Sequence, residues 1–290
     1  MRRAAVAIAL ILALHCTGAG QTATLSPQQI RELVRESADK DLENTKRQRN
    51  YTYIQRSEQR RLDSRGRVTS TESKTYEVMV LSGEPVQKLI EKNDKPLSEK
   101  EARAEEQRIK DLVEKYRREG EPARRKRLQK SEKEAADNRH FVLEVADAYQ
   151  FRFSGIEEIA GRPSYVIDAD PIPGYKPKSK DARWLSDFKF RAWVDVADRQ
   201  WVRADIECID TVSWGLFLAR IHKGTKIRLE QIRINNEVWL PRHVSVALDA
   251  RVAIFKNLDM DIDVSFRDYK KFVADTEIVP LNVEPSPPLR

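Results

Sequence analysis

Phe188–Asp210 reads FKFRAWVDVADRQWVRADIECID, and its alternation decides the fold. In the first half Phe188, Phe190, Ala192, Val194 and Val196 alternate with Lys189, Arg191, Trp193 and Asp195. In the second half Val202, Ala204, Ile206 and Cys208 alternate with Trp201, Arg203, Asp205 and Glu207. Successive strand side chains point to opposite faces, so this is a hairpin with one aliphatic face and one charged, tryptophan-bearing face. The polar turn Ala197-Asp198-Arg199-Gln200 lacks the Asn-Gly that would set its type.

The same period recurs on both sides. A strand from Tyr51 turns at Asp63-Ser64-Arg65-Gly66 and returns through Val68 to Leu81, and Val86–Glu91 follows the Gly83-Glu84-Pro85 turn. Tyr149–Ile159 turns at Gly161-Arg162-Pro163 into Ser164–Asp170. Thr225–Ile234 changes phase between Leu229 and Ile232, which predicts a bulge. Val244, Val246, Leu248, Ala250, Val252 and Ile254 hold one face of a long strand, and Leu258, Met260, Ile262, Val264 and Phe266 one face of the next. The expected class is α+β, mainly antiparallel, with one face of the sheet buried.

Two segments have the helical period instead. Ser26-Pro27-Gln28-Gln29 is a capping box with proline in the first turn, followed by Ile30, Leu33, Val34, Ser37, Ala38, Asp41, Leu42 and Thr45 at helical spacing. That thin apolar stripe needs a sheet to lie on. Ser98 and Glu101 make a second capping box, Gly120-Glu121-Pro122 interrupts, and Ala123–Ala136 resumes. Residues 98–138 read as a charged helical arm inserted between strands, with a short helix expected at Phe141–Ala148.

The ends are of another kind. Arg2-Arg3, the apolar run Ala4–Leu14 and the small residues Thr17-Gly18-Ala19-Gly20 have the order of a secretory signal peptide over residues 1–20. A lipidated Cys16 is the weaker alternative, because His15 stands where such sites take a small residue. The expected product is periplasmic or secreted, a single domain over 24–272 with a Pro-rich tail, 273–290. Cys208 is then the sole cysteine, a small buried hydrophobe on the aliphatic face.

With 40% hydrophobic and 34% charged residues the chain is polar but within the globular range, and its net charge of +7 is a modest excess. The cluster Arg124, Arg125, Lys126 and Arg127 suits an anionic membrane surface better than nucleic acid, since acids interleave on both sides. No histidine or cysteine pairing has metal-ligand spacing, and Asp259, Asp261 and Asp263 lack the glycine and distal glutamate of a calcium loop. Gly-x-Ser-x-Gly, Ser-x-x-Lys, His-Glu-x-x-His and phosphate-cradling glycine patterns are missing too. The residues therefore point to a non-enzyme without metal or cofactor. Trp214-Gly215-Leu216-Phe217-Leu218-Ala219, the most apolar run outside the leader, reads as a buried corner or as the lip of a hydrophobic cavity.

The order of an amphipathic helix and a meandering sheet, with Trp193-Val194-Asp195, Gln200-Trp201-Val202-Arg203 and Val238-Trp239-Leu240-Pro241, resembles the bacterial outer-membrane lipoprotein-sorting and lipoprotein-carrier (LolA/LolB-like) superfamily over Leu25–Phe272, apart from the arm. The resemblance implies a strongly curved half-barrel that holds acyl chains or lipidated polypeptide in a hydrophobic hollow. On that basis Trp214, Leu216, Phe217 and Leu218, with Trp193 and Trp201, are the expected cavity lining, and Gln28–Arg47 and Trp214–Ala219 its movable covers. The alternative is an envelope interaction or sensor module acting through the arm.

Overall fold

The computed structural model describes residues 24–214, 219–252 and 256–272; the expected leader, the tail and Leu216–Leu218 lie outside that set. The strands are β1 (Tyr51–Leu62), β2 (Val68–Leu81), β3 (Glu84–Lys92), β4 (Lys95–Pro96), β5 (Tyr149–Ile159), β6 (Arg162–Pro171), β7 (Phe188–Asp195), β8 (Trp201–Cys208), β9 (Val212–Trp214), β10 (Ala219–Ile221), β11 (Lys226–Ile234), β12 (Val238–Val252) and β13 (Lys256–Lys271). They form one open, curved antiparallel sheet in the order β4-β3-β2-β1-β13-β12-β11-β8-β7-β6-β5, with β10 branching off β12 and β9 pairing with β10. Hairpins account for most neighbours. The pairing of β1 with β13, Ser57 opposite Val264, closes a long stretch of chain that no local pattern dictates. The phase change in β11 is a register shift between Glu230 and Gln231, as the sequence predicts.

Helix α1 (Pro27–Gln48) starts at Ser26, whose hydroxyl accepts from Gln29 N at 3.3 Å while Gln29 Oε1 accepts from Ser26 N at 2.8 Å. Its first half sits on the aliphatic face of β5–β7, burying Ile30 and Leu33 among Tyr149, Phe151, Ile167, Ala169 and Val194. The Tyr149 hydroxyl donates to Leu185 O at 2.7 Å and to Phe188 O at 3.0 Å, tying the 3-10 turn Asp181–Asp187 to this core.

The second half of α1 carries a polar stripe instead. Ser37 Oγ accepts from Trp201 N (3.2 Å), and Asp41 Oδ1 accepts from Gln200 Nε2 (2.9 Å) and Trp201 Nε1 (3.2 Å). Asn44 Oδ1 accepts from Trp239 N at 2.7 Å, and Asn44 Nδ2 donates to Trp239 O at 2.6 Å. The helix is thus fastened at both ends, by apolar burial at β5–β7 and by hydrogen bonds at the β7–β8 turn and the start of β12.

The helical arm joins the two edges of the sheet. Helix α2 (Glu99–Arg117) begins at the expected Ser98 box and lies along β3, where Glu105 Oε1 accepts from Leu89 N at 2.8 Å and Arg108 donates to Gln87 O. Those contacts cap backbone groups that an edge strand would otherwise offer to another chain. After the break at Gly120, α3 (Glu121–Ala148) runs without interruption through Asn138 into β5 at the opposite edge. The expected separate short helix at Phe141–Ala148 is the last two turns of α3, since no glycine or proline stands between Ala123 and Ala148 to end it.

Candidate functional site

The two faces of the sheet differ in what satisfies them. On the charged face, cross-strand register places Arg152, Asp168, Arg191, Asp205, Arg228 and Ser245 side by side. Arg191 binds Asp168 through two nitrogens at 2.6 and 3.0 Å, and Arg228 binds Asp205 likewise at 2.8 and 3.0 Å. Arg191 holds the Asp168 carboxyl below the usual carboxylate range; burial pushes Asp205 up, but Arg228 and Arg203 outweigh it and leave that carboxyl depressed. A trough of about 820 Å³ runs across this face, lined by side chains of β1, β5–β8 and β11–β13. Its lining combines the ion pairs Arg191–Asp168, Arg228–Asp205 and Lys189–Glu207 with Phe190, Ile206, Ile227, Val246 and Ile262 from the row that lies between them.

At one end of this face the Trp-Val-Asp stretch has a structural use. The Asp195 side chain is 1% exposed and accepts from Arg162 Nε (2.6 Å) and Nη2 (2.8 Å), from Ala197 N (3.0 Å) and from Asp198 N (2.7 Å). Burial pushes its carboxyl up, yet the Arg162 guanidinium and the turn amides prevail and hold it below its ordinary value. Trp193 is buried with Val166, Val202 and Trp239; its indole donates to Glu157 at 2.7 Å, and Arg203 lies 4.4 Å over its ring. Trp201 is half-buried under α1, its indole held by Asp41. The structure does not bring Trp193 and Trp201 together in one hollow: one packs against the charged-face cluster, the other against α1.

Among the described residues the aliphatic face is only partly covered. Phe190, Ile206, Ile227, Val246 and Ile262 stand in register across β7, β8, β11, β12 and β13. Beside them Leu229, Val244 and Val264 form a second row, and Leu248 pairs with Met260 in a third. Phe190 reaches the core beneath α1, whereas Ile206, Ile227, Leu229, Val244, Val246, Leu248, Met260, Ile262 and Val264 are all half-buried. The band lies on the face that α1 occupies, and α1 meets the sheet at β5 and at the Trp239 end of β12. Nothing in the sequence pattern alone separated the covered part of this face from the uncovered part; strand order was the missing information.

Of the remaining expected lining residues, Trp214 ends β9 opposite Ala219 of β10, and Leu216, Phe217 and Leu218 lie outside the described residues. In the arm, Arg124, Arg125 and Lys126 are exposed. Arg127 is not: it pairs with Glu119 (3.1 Å) and Glu84 (3.3 Å) and stacks on Tyr116 at 4.8 Å. Cys208 is buried, burial pushes its thiol up, and its sulfur donates to Asp210 O at 2.9 Å. Among the described residues no group of three or more His, Cys, Asp or Glu side chains is placed to hold a metal ion, and no helix is long and apolar enough to cross a membrane.

No protein-family model and no curated protein matches the chain. Among solved structures it is similar to a DUF1329 family protein from Desulfovibrio piger (10% identity, 85% of this chain and 95% of that one, TM-score 0.32). It is similar also to a LolA superfamily protein from Nitrosomonas europaea (12% identity, 86% and 94%, TM-score 0.31). A third is an outer membrane lipoprotein-sorting protein domain from Vibrio parahaemolyticus (10% identity, 84% and 95%, TM-score 0.34).

Proposed function

We propose that the protein is an exported, periplasmic, non-catalytic binding protein that takes the apolar part of a lipid or lipidated polypeptide on the aliphatic band. The observation that supports this reading is the row Ile206, Ile227, Val246 and Ile262, which the described residues leave only half-buried. The row from Phe190 to Ile262 crosses five strands, about 19 Å at ~4.8 Å per strand. Ten methylenes laid along it and desolvated on one side gain about 4 kcal/mol at ~0.8 kcal/mol per fully buried methylene, a millimolar affinity. Covering the outer side as well roughly doubles that and reaches micromolar binding. Trp214, Leu216, Phe217 and Leu218 are the residues we assign to that cover, with Trp201, under α1, at its margin; Trp193, on the charged face, is not part of it.

Native mass spectrometry of the purified protein and uptake of a fluorescent fatty-acid probe test the reading. Co-isolated lipid is expected, with uptake weakened at least tenfold by Val246→Asp and unchanged by Glu207→Gln on the opposite face. Protein without lipid that takes up no probe, or equal uptake by Val246→Asp, overturns it.

A second reading, an envelope interaction module acting through the arm, is favoured by the exposed Arg124, Arg125 and Lys126 at the start of α3.

A further inference from the structure

Residues 114–130 contain the cations Lys115, Arg117, Arg118, Arg124, Arg125, Lys126, Arg127 and Lys130 against the carboxylates Glu114, Glu119 and Glu121. The fold folds this stretch into the tip of the α2–α3 hairpin and sorts the charges. Arg117 and Arg118 share Glu114 at 3.1 and 3.3 Å, Arg127 is taken up by Glu119 and Glu84, and Lys130 reaches Glu134 at 3.8 Å. Lys115, Arg124, Arg125 and Lys126 are exposed, and among the described residues none of them pairs with a carboxylate. The unpaired charge is therefore concentrated at one end of the hairpin, while the other end of α3 is fixed to α1 by Arg139–Asp39 (2.5 Å) and Asp147–Arg35 (2.8 Å).

Resting on the second reading above, we propose that this tip docks on an anionic phospholipid surface. Consecutive helical residues are about 100° apart, so Arg124, Arg125 and Lys126 fan out around α3 rather than forming one contoured patch. A fluid layer of phosphate head groups can meet such a fan from any side. A protein partner needs a desolvated apolar anchor, and in this stretch the side chains of α3 offer none: the exposed large apolar residues of the described chain are Val68, Val113, Phe141 and Ile156. Val113, one turn before Arg117, is the sole one near the tip and too small to hold the protein by itself. The attraction is then electrostatic and reaches only a Debye length, about 8 Å at physiological salt.

The test is vesicle co-sedimentation of the chain starting at Gln21, ahead of the first described residue. Vesicles of phosphatidylcholine with and without 30% phosphatidylglycerol (the fraction being about that of a strongly anionic bilayer) serve as probes. Binding is expected only to the anionic vesicles and is lost at high salt. The variant Arg124→Gln, Arg125→Gln, Lys126→Gln keeps good helix formers in α3 and is expected to lower partitioning roughly a hundredfold. A variant of equal net charge, Arg65→Gln, Lys95→Gln, Lys223→Gln, is expected to bind like the parent. Undiminished binding by the first variant, an equal loss in the second, salt-insensitive binding to neutral vesicles, or preference for an acidic polypeptide over the vesicles each overturns the proposal. Uptake of the fatty-acid probe by the first variant, in solution, is expected to be unchanged, so failure here is distinct from failure of the aliphatic-band reading.

Discussion

Removing the Asp195 carboxylate is the most informative perturbation of the fold. Four donors converge on it: two nitrogens of Arg162 and the amides of Ala197 and Asp198. Asp195→Ala leaves the turn amides without their acceptor, at about 1–3 kcal/mol for a buried orphaned group. It also strips Arg162 of its main counterion. The full penalty for breaking a buried pair is about 3–5 kcal/mol, but Arg162 is 29% exposed and retains Asp198 at 3.4 Å, so that share is reduced. The expected total is about 2–4 kcal/mol, with Asp195→Asn costing about half because one oxygen can still accept. Urea unfolding at constant m-value measures it, and the double variant with Arg162→Met should recover part of the loss. A shift of less than about 0.5 kcal/mol for Asp195→Ala, typical of an inert surface site, refutes the claim that this carboxylate organises the β7–β8 turn.

Asn44→Ala should destabilise by about 2 kcal/mol, since it orphans the buried Trp239 amide, whereas Gln48→Ala should cost under about 1 kcal/mol because it removes one of two donors to Trp239 O; urea midpoints compare the two. Asp168, Asp195 and Asp205 all have depressed carboxyl values in the folded chain, so their stabilisation is complete above the unfolded value of about 3.9 and is lost as pH falls through the lower native values. Unfolding midpoints should therefore drop below about pH 4, and Asp195→Asn should make that drop shallower. Glu105→Ala should speed amide exchange at Leu89, whose N–H it takes at 2.8 Å, and raise the tendency to aggregate through the β3 edge. Unaltered exchange would show that α2 does not guard that edge.

What could be read from the residues was local. The capping boxes at Ser26 and Ser98 and the slip near Glu230 each depend on neighbours within a few positions and stand where the pattern placed them. In Phe188–Asp210 a register shift at Trp193/Val194 pairs Val194 with Trp201, turning Trp201 to the α1 face and Val202 to the Trp193 cluster, against the simple alternation. The site was legible only in part, because every strand offers an aliphatic and a polar side and nothing local says which strands adjoin. The pairing of β1 with β13 and the placing of β5 at the edge decide that α1 lies over β5–β7 and reaches only the Trp201 end of β8 and the Trp239 end of β12. Arg127 shows the same limit: four consecutive cations look alike in sequence, and the fold brings Glu119, Tyr116 and Glu84 at the start of β3 to just one of them.

On the function proposed above, the unequal faces favour the aliphatic band over the trough as the ligand's place. A single layer of sheet is stable only if both sides find partners. On the charged side the partners are built in: bidentate Arg–Asp pairs repeat from strand to strand, and water covers the rest at no cost. A guest entering that trough must displace interactions that are already made. Among the described residues the aliphatic side has no such internal solution, because Ile227 beside Val246 beside Ile262 still leaves each partly open to water. Substituting that row with polar residues should therefore cost the apo protein little, at most about 1 kcal/mol per site, while removing uptake of an apolar ligand. A loss of several kcal/mol at Val246→Thr in the absence of ligand would mean instead that the band is an ordinary covered core.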